Sequence, residues 1–246
     1  MSEICEIGSP PWTRDDLLNS LEEFASIYAN RPIKSNDGGM KAPQLFCAWF
    51  AAKNLQPDFI IESGVLKGQG TWAIEQAAPS AALHCIDPYP QYMDGYVSKT
   101  ATYHEKDFLE LDFSRLSGKN VLCFFDDHQN AIERIVRCQQ FGFKKIMFED
   151  NYPVGQGDCY SMKKAFHSTN TDQIIPGFGV GDYMRHLCKT YYEFPPVFSG
   201  KENRWGLPWE TYGTPDPLLT EVVEDYQGIY MKELDQYTWI NYVELK

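Results

Sequence analysis

The segment from Phe59 to Thr71 constrains the chain most. Phe59-Ile60-Ile61-Glu62-Ser63 runs into Gly64, and Gly68 and Gly70 come just before Thr71. A short apolar run that stops near an acid and meets three closely spaced glycines reads as a strand entering a tight turn and leaving into a helix. Only glycine lets the backbone approach a ligand that closely. The first turn of the helix adds free N–H groups and the positive end of the helix dipole. The segment is therefore built to hold a nucleotide-like or carboxylate-bearing molecule.

Past Thr71 the strand–helix alternation repeats. A strand at 82–87 closes on Asp87, which lies 25 residues after Glu62, the length a strand–helix–strand unit needs. A loop rich in Tyr, Pro and Gly covers 88–98, and a short strand near 101–104 ends close to Asp107. Val121-Leu122-Cys123-Phe124-Phe125 reads as a strand closing on Asp126-Asp127-His128, then a helix over about 130–140. Lys145-Ile146-Met147-Phe148 closes on Glu149-Asp150-Asn151. Near-continuous apolar strands alternating with amphipathic helices imply a parallel sheet covered on both faces, with ligands at the carboxyl ends of its strands. Those ends are where the acids collect.

Before this core, Thr13 caps a helix over 13–30 with an apolar stripe through Leu17, Leu21, Phe24 and Tyr28, and a second helix covers Ala42 to Leu55. After Asn151 the periodicity fades. Residues 152–215 are rich in Gly, Pro, Tyr and Trp, and we read them as an aromatic-rich lid whose Tyr183, Tyr191, Tyr192, Trp205 and Trp209 are candidates for stacking on a ring or for core packing. Tyr237 to Glu244 alternates as a terminal strand. The expected organisation is one domain over 1–246: N-terminal helices at 1–57, a ligand-binding core at 58–151, and lid plus C-terminal strands at 152–246.

The formal charge is −12, from 22 Lys and Arg against 34 Asp and Glu, and no basic run exceeds two residues. That balance disfavours nucleic acid and an anionic membrane surface as partners. No stretch approaches a transmembrane length. Seven cysteines without a C-x-x-C pair suit reduced thiols and a cytoplasmic setting.

Two strands in succession end in paired acids, Asp126-Asp127 and Glu149-Asp150. If the strands are neighbours, up to four carboxylates face one cleft. Like charges that close raise one another's pKa or recruit a cation. Carboxylates with an amide such as Asn151 are hard oxygen ligands suited to Mg²⁺, Ca²⁺ or Mn²⁺, and no Cys/His spacing supports zinc.

The spacing of Gly64, Gly68 and Gly70, with an acid before the first glycine and Asp87 ending the next strand, resembles motif I of the class I methyltransferases that use S-adenosylmethionine. The acids resemble the metal-dependent O-methyltransferases: Asp150-Asn151 is similar to the pair of catechol-type enzymes, and Glu149-Asp150 with the run Phe124 to His128 is similar to the macrocin O-methyltransferase and cephalosporin hydroxylase group. The resemblance covers residues 58–152. It implies a Rossmann-like, doubly wound, seven-stranded and mostly parallel sheet. It implies S-adenosylmethionine at Glu62, Gly64, Gly68, Gly70 and Thr71, with Asp87 on the ribose and Asp107 on the adenine. It implies a divalent cation, Mg²⁺ first, held by Glu149, Asp150 and one of Asp126 and Asp127, with the strand end favouring Asp126, and a small-molecule acceptor whose hydroxyl or diol is methylated. The lysine base of catechol-type enzymes has no counterpart here, since Gln129 or Asn130 takes its place, so the base falls to His128 or Asp127.

Two other readings stay open. One is a methyltransferase fold that binds without catalysing. The other is a short-chain NAD(P) dehydrogenase, for which Tyr160 and Lys164 spell Y-x-x-x-K. Against it, Tyr160 comes only 96 residues after Gly64, and Asp-Asp-His stands where Asn-Ala-Gly is required. The acceptor and the oligomeric state, including a homo-oligomer, stay open as well.

Overall fold

The computed structural model describes residues 6–167, 173–175 and 177–246. Helix α1, Arg14–Ala29, starts where Thr13 and Asp16 cap each other's backbone N–H groups, and it buries Leu17, Leu21, Phe24 and Tyr28. Helix α2, Ala42–Leu55, is apolar on nearly every side and ends where Gln56 turns left-handed at φ 44°. The alternation then proceeds through β1 (Phe59–Ser63), α3 (Gln69–Ala77), β2 (Ala82–Ile86), β3 (Thr102–His104), β4 (Val121–Phe125), α4 (Ala131–Phe141) and β5 (Lys145–Phe148). Past β5 come α5 (Met162–His167), a small hairpin of β6 (Gln173–Ile175) and β7 (Phe178–Gly179), α6 (Val180–Leu187), β8 (Cys188–Glu193), α7 (Gly228–Met231) and β9 (Asn241–Leu245).

Seven strands form one sheet in the order β3-β2-β1-β4-β5-β9-β8. The pairs among β1 to β5 are parallel, and β9 runs antiparallel to both β5 and β8. The Rossmann-like, mostly parallel sheet expected from the sequence is thus the one observed. Its strands bury both faces. Ile60, Leu83, Leu122, Phe124 and Met147 pack under α1, α2 and α3, while Ile61, Ile86, Cys123, Phe125 and Ile146 pack under α4, α5 and α6. The chain leaves β1 toward β2 on one side, and β4 lies on the other. The crevice of such a sheet opens at this reversal, outside the carboxyl ends of β1 and β4.

Two stretches differ from the sequence reading. Residues 152–215 are not simply a lid: α5, α6 and β8 lie within them, and β8 is an edge strand of the main sheet. The terminal strand begins at Asn241 rather than Tyr237, because Trp239 has φ 57°, which no strand residue adopts. Tyr237 and Trp239 instead pack with Tyr152, Leu207 and Trp209 in a separate aromatic cluster. Among the described residues no helix is long and apolar enough to cross a membrane.

Candidate functional site

The crevice holds an open cavity of about 290 Å³, near the lower end of small-molecule sites. Its wall includes Ser63, Gly64, Leu66, Asp87, Tyr89, Tyr92, Asp107, Asp126, Asp127 and His128. Ordinary strand propagation builds this wall. The Gly64 N–H donates to the Ile86 carbonyl at 2.9 Å, and the Asp126 N–H donates to the Ser63 carbonyl at 2.8 Å, so β1, β2 and β4 end in step. Two non-glycine residues with left-handed backbone, Leu66 at φ 48° and His128 at φ 53°, both line the cavity. Such strain persists where the surrounding structure imposes it and collects at functional sites.

The glycines serve the turn's own packing. Gly64 has φ 92°, and a Cβ there would meet the Asp126 carbonyl. Gly68 has φ 81°, caps α3, and would meet the Tyr96 carbonyl. A Cβ on Gly70 would lie 2.5 Å from Glu62 Oε1. Of the three, only Gly64 lines the cavity. Glu62 lies fully buried beneath the turn, where its Oε2 accepts from the Thr71 hydroxyl at 2.5 Å and its Oε1 has no partner. Burial, only partly offset by the Thr71 and Cys85 bonds, pushes its carboxyl up to about 8. Glu62 and Thr71 therefore hold the turn from inside. Asp87 faces the cavity and fixes the turn as well, since its Oδ2 accepts from the N–H groups of Val65 (3.1 Å) and Leu66 (3.0 Å).

Two residues of the wall, Asp107 and Asp127, share a partner that the sequence reading missed. Arg134 on α4 is 2% exposed. It forks onto Asp107 at 2.8 and 2.5 Å, and its Nε donates to Asp127 Oδ2 at 3.0 Å. The Ser63 hydroxyl donates to that same Asp127 oxygen at 2.7 Å, and the Gln129 N–H reaches its Oδ1 at 3.3 Å. The chain Ser63–Asp127–Arg134–Asp107 ties the floor of the crevice to its far wall. It leaves Asp127 with both oxygens engaged.

The remaining acids face one another. Asp126, His128 and Asp150 each offer a ligand atom within 4.8 Å of the others. Both carboxylate oxygens of Asp150 are buried without a hydrogen-bond partner, and so is Oε2 of Glu149. Glu149 Oε1 accepts from Gln44 at 3.0 Å and Thr238 at 2.8 Å. Burial and the charge of Glu149 drive the carboxyls of Asp126 and Asp150 well above the usual range. Unpaired carboxylate oxygens packed together this way are what a bound cation would relieve. His128 Nδ1 lies 3.0 Å from Asp158 Oδ1, in a hydrogen bond, and 3.2 Å from Asp150 Oδ2. Asn151 does not join the acids. Its side chain donates to the Tyr191 hydroxyl at 2.8 Å and accepts from the Lys163 N–H at 2.9 Å, inside a buried network that ends in the ion pair of Lys163 with Glu193 at 2.7 Å.

Of the aromatic candidates, Tyr191 and Trp209 are core, and Tyr192 packs beside Trp12 and Phe194. Tyr183 is half-buried on α6, against the core layer beneath it. Trp205 is exposed and donates its indole N–H to the Tyr152 hydroxyl at 2.7 Å. Next to it, Arg204 places its positive charge near Glu149 and Asp150, a second residue the sequence did not reveal. Tyr160 and Lys164 stand away from the cavity wall: Tyr160 packs against the α4 side of the core, and Lys164 Nζ donates to the Cys159 carbonyl at 2.5 Å. The dehydrogenase reading therefore lacks its Tyr–Lys pair at the cavity.

No protein-family model matches the chain, and no curated protein matches it. Several solved structures are similar. The O-methyltransferase TomG from Streptomyces achromogenes, in complex with SAM, is 14% identical over 72% of this chain and 75% of its own, with a TM-score of 0.43. The SAH-bound methyltransferase PaMTH1 from Podospora anserina is 13% identical over 97% of this chain and 89% of its own, with a TM-score of 0.41. Cofactor-bound Rv0187 from MTB is 15% identical over 55% of this chain, with a TM-score of 0.37, and the match spans 65% of its length. The fold itself rests on the strand order, not on these distant likenesses.

Proposed function

We propose that the protein is an S-adenosylmethionine-dependent O-methyltransferase, assisted by a divalent cation, acting on a hydroxyl or diol of a sugar or small natural product. The observation that carries this reading is the set of buried oxygens of Asp150 and Glu149 that lack a hydrogen-bond partner, close to Asp126 in the wall of a cavity that Gly64 and Asp87 also line. The chain works as one unit in which 58–151 binds the cofactor and the flanking segments shape the acceptor side. Cys47, Cys85, Cys123, Cys138 and Cys159 are buried free thiols, in keeping with a cytoplasmic setting.

On this reading Gly64 and Asp87 face the cofactor's amino-acid and ribose portions, and Asp107, steadied by Arg134, faces the adenine. Asp126, Asp150 and the free oxygen of Glu149 hold the cation, Mg²⁺ first. When bound, the cation acidifies an acceptor hydroxyl and S-adenosylmethionine supplies the methyl group. The protein's own part is to orient that hydroxyl and take its proton. Asp127 is engaged by Ser63 and Arg134, so we assign the proton to His128. Asp158 fixes the imidazole through Nδ1, which leaves Nε2 as the acceptor.

A second role for His128 has one observation in its favour: the imidazole lies inside the acid cluster and could itself be a ligand. A divalent-cation titration tests the metal site. Mg²⁺ or Mn²⁺ should raise the melting temperature of the parent, as binding to the native state must. Asp126→Ala and Asp150→Ala should lose that shift while keeping affinity for S-adenosylhomocysteine. An unaltered cation response in both variants removes the metal from this account. Cofactor binding without methyl transfer to any hydroxyl acceptor favours a non-catalytic binding protein.

A further inference from the structure

The turn at 202–208 holds a large apolar face in water and holds it rigidly. Trp205 is 58% exposed. Its backbone N–H donates to Asn203 Oδ1 at 3.0 Å, its indole N–H donates to the Tyr152 hydroxyl at 2.7 Å, and the Arg204 guanidinium lies 5.0 Å from its ring centroid. Asn203 is itself anchored, donating to the Tyr237 carbonyl at 3.1 Å and accepting from the Leu207 N–H at 3.1 Å. Tyr152, which receives the indole, comes two residues after Asp150. The indole is therefore tied to the strand end that carries the acid cluster.

Arg204 adds a second observation. Its charge acts on Asp126, Glu149 and Asp150, yet among the described residues it makes no ion pair with any carboxylate. One weak contact, 3.5 Å from Nη2 to the Tyr152 hydroxyl, engages its donors, and its Nε is buried without a partner. A buried donor without an acceptor is costly. A guanidinium with donors this sparsely engaged suits a carboxylate partner. A fixed, exposed aromatic face contributes little to the folded state but offers a stacking surface with little left to order on binding.

We propose that Arg204 and Trp205 form the acceptor subsite, and that the acceptor is a hydroxylated ring carrying a carboxylate. The ring lies against the exposed indole of Trp205, its carboxylate meets Arg204, and a ring hydroxyl points at Asp126 and Asp150. The placement of that hydroxyl rests on the methyl-transfer reading. Aromatic acids and sugar acids share this chemistry.

Calorimetry on the full chain distinguishes them, with Mg²⁺ present and with or without S-adenosylhomocysteine. The probes are 3,4-dihydroxybenzoate against catechol, and D-glucuronate against D-glucose. One acid should bind about tenfold or more tightly than its neutral parent. Arg204→Gln should abolish that preference and leave the neutral parent within about twofold. Trp205→Ala should weaken acid and parent alike by roughly threefold to tenfold, with Trp205→Phe in between. Neither substitution should change S-adenosylhomocysteine affinity. Equal binding of acid and parent, an acid preference that survives Arg204→Gln, or no binding of either acid overturns the proposal. Failure of S-adenosylhomocysteine to bind overturns the methyl-transfer reading instead, and the acid preference is still read without it.

Discussion

Glu62 gives the sharpest quantitative prediction, because its environment is fully defined: no solvent exposure, one hydroxyl donor, one thiol, and one oxygen with no partner. Its carboxyl is raised from the usual 4.5 to about 8, chiefly by burial. The folded state therefore binds this proton more tightly than the unfolded chain does. Below about pH 4.5 both states hold the proton and nothing is lost. As pH rises toward 8 the unfolded chain releases it while the folded chain keeps it, so stability falls. Above 8 the full loss is present. About 3.5 decades of proton affinity at about 1.36 kcal/mol each set an upper scale of about 5 kcal/mol. Glu62→Gln mimics the neutral acid and cannot ionise. Urea melts of both proteins from pH 5 to 9, with chelator present to remove any cation, should give stabilities within about 1 kcal/mol at pH 5. The variant should then gain over the parent with pH and lead by several kcal/mol at pH 9. A difference that stays flat across this range refutes the assignment of a buried, protonated Glu62.

If His128 takes the acceptor's proton and Asp158 orients it, His128→Ala should lose roughly 10²–10⁴-fold in turnover, and Asp158→Asn should lose part of that, with Mn²⁺ affinity unchanged in both; a loss of Mn²⁺ binding in His128→Ala makes it a ligand instead. Lys163→Met leaves Glu193 buried without its cation and should cost about 3–5 kcal/mol in denaturant melts, while Lys163→Met with Glu193→Gln should recover more than half of it; an equal cost in both proteins contradicts the pairing.

How much of the fold and site was legible in the sequence depends on where each signal lives. The core strands announce themselves because a strand buried on both faces must be continuously apolar, as Val121 to Phe125 is, and the acids that end them are adjacent in the chain. Helix α1 shows its start because Thr13 and Asp16 form a local reciprocal cap. Strand β8 hides because Lys189, Thr190 and Glu193 interrupt its apolar run, and the buried Glu193 finds its cation in Lys163, 30 residues away. Arg134 and Arg204 leave no local mark either. The first acquires its role through Asp107 and Asp127 on separate loops, the second through a turn that folds back on Tyr152. The glycines were legible as a turn, but their cause was not. Gly68 answers to the Tyr96 carbonyl, so Gly68→Val tests the turn before it tests any ligand.

The central claim is that the crevice takes S-adenosylmethionine. Titration calorimetry with S-adenosylhomocysteine and, separately, with NAD⁺ measures this on the parent and on Tyr89→Ala, an exposed residue of the cavity wall whose removal leaves the turn intact. The account predicts saturable binding of S-adenosylhomocysteine, weakened by Tyr89→Ala, and no binding of NAD⁺. Binding of NAD⁺ without S-adenosylhomocysteine, or S-adenosylhomocysteine affinity indifferent to the cavity wall, contradicts it.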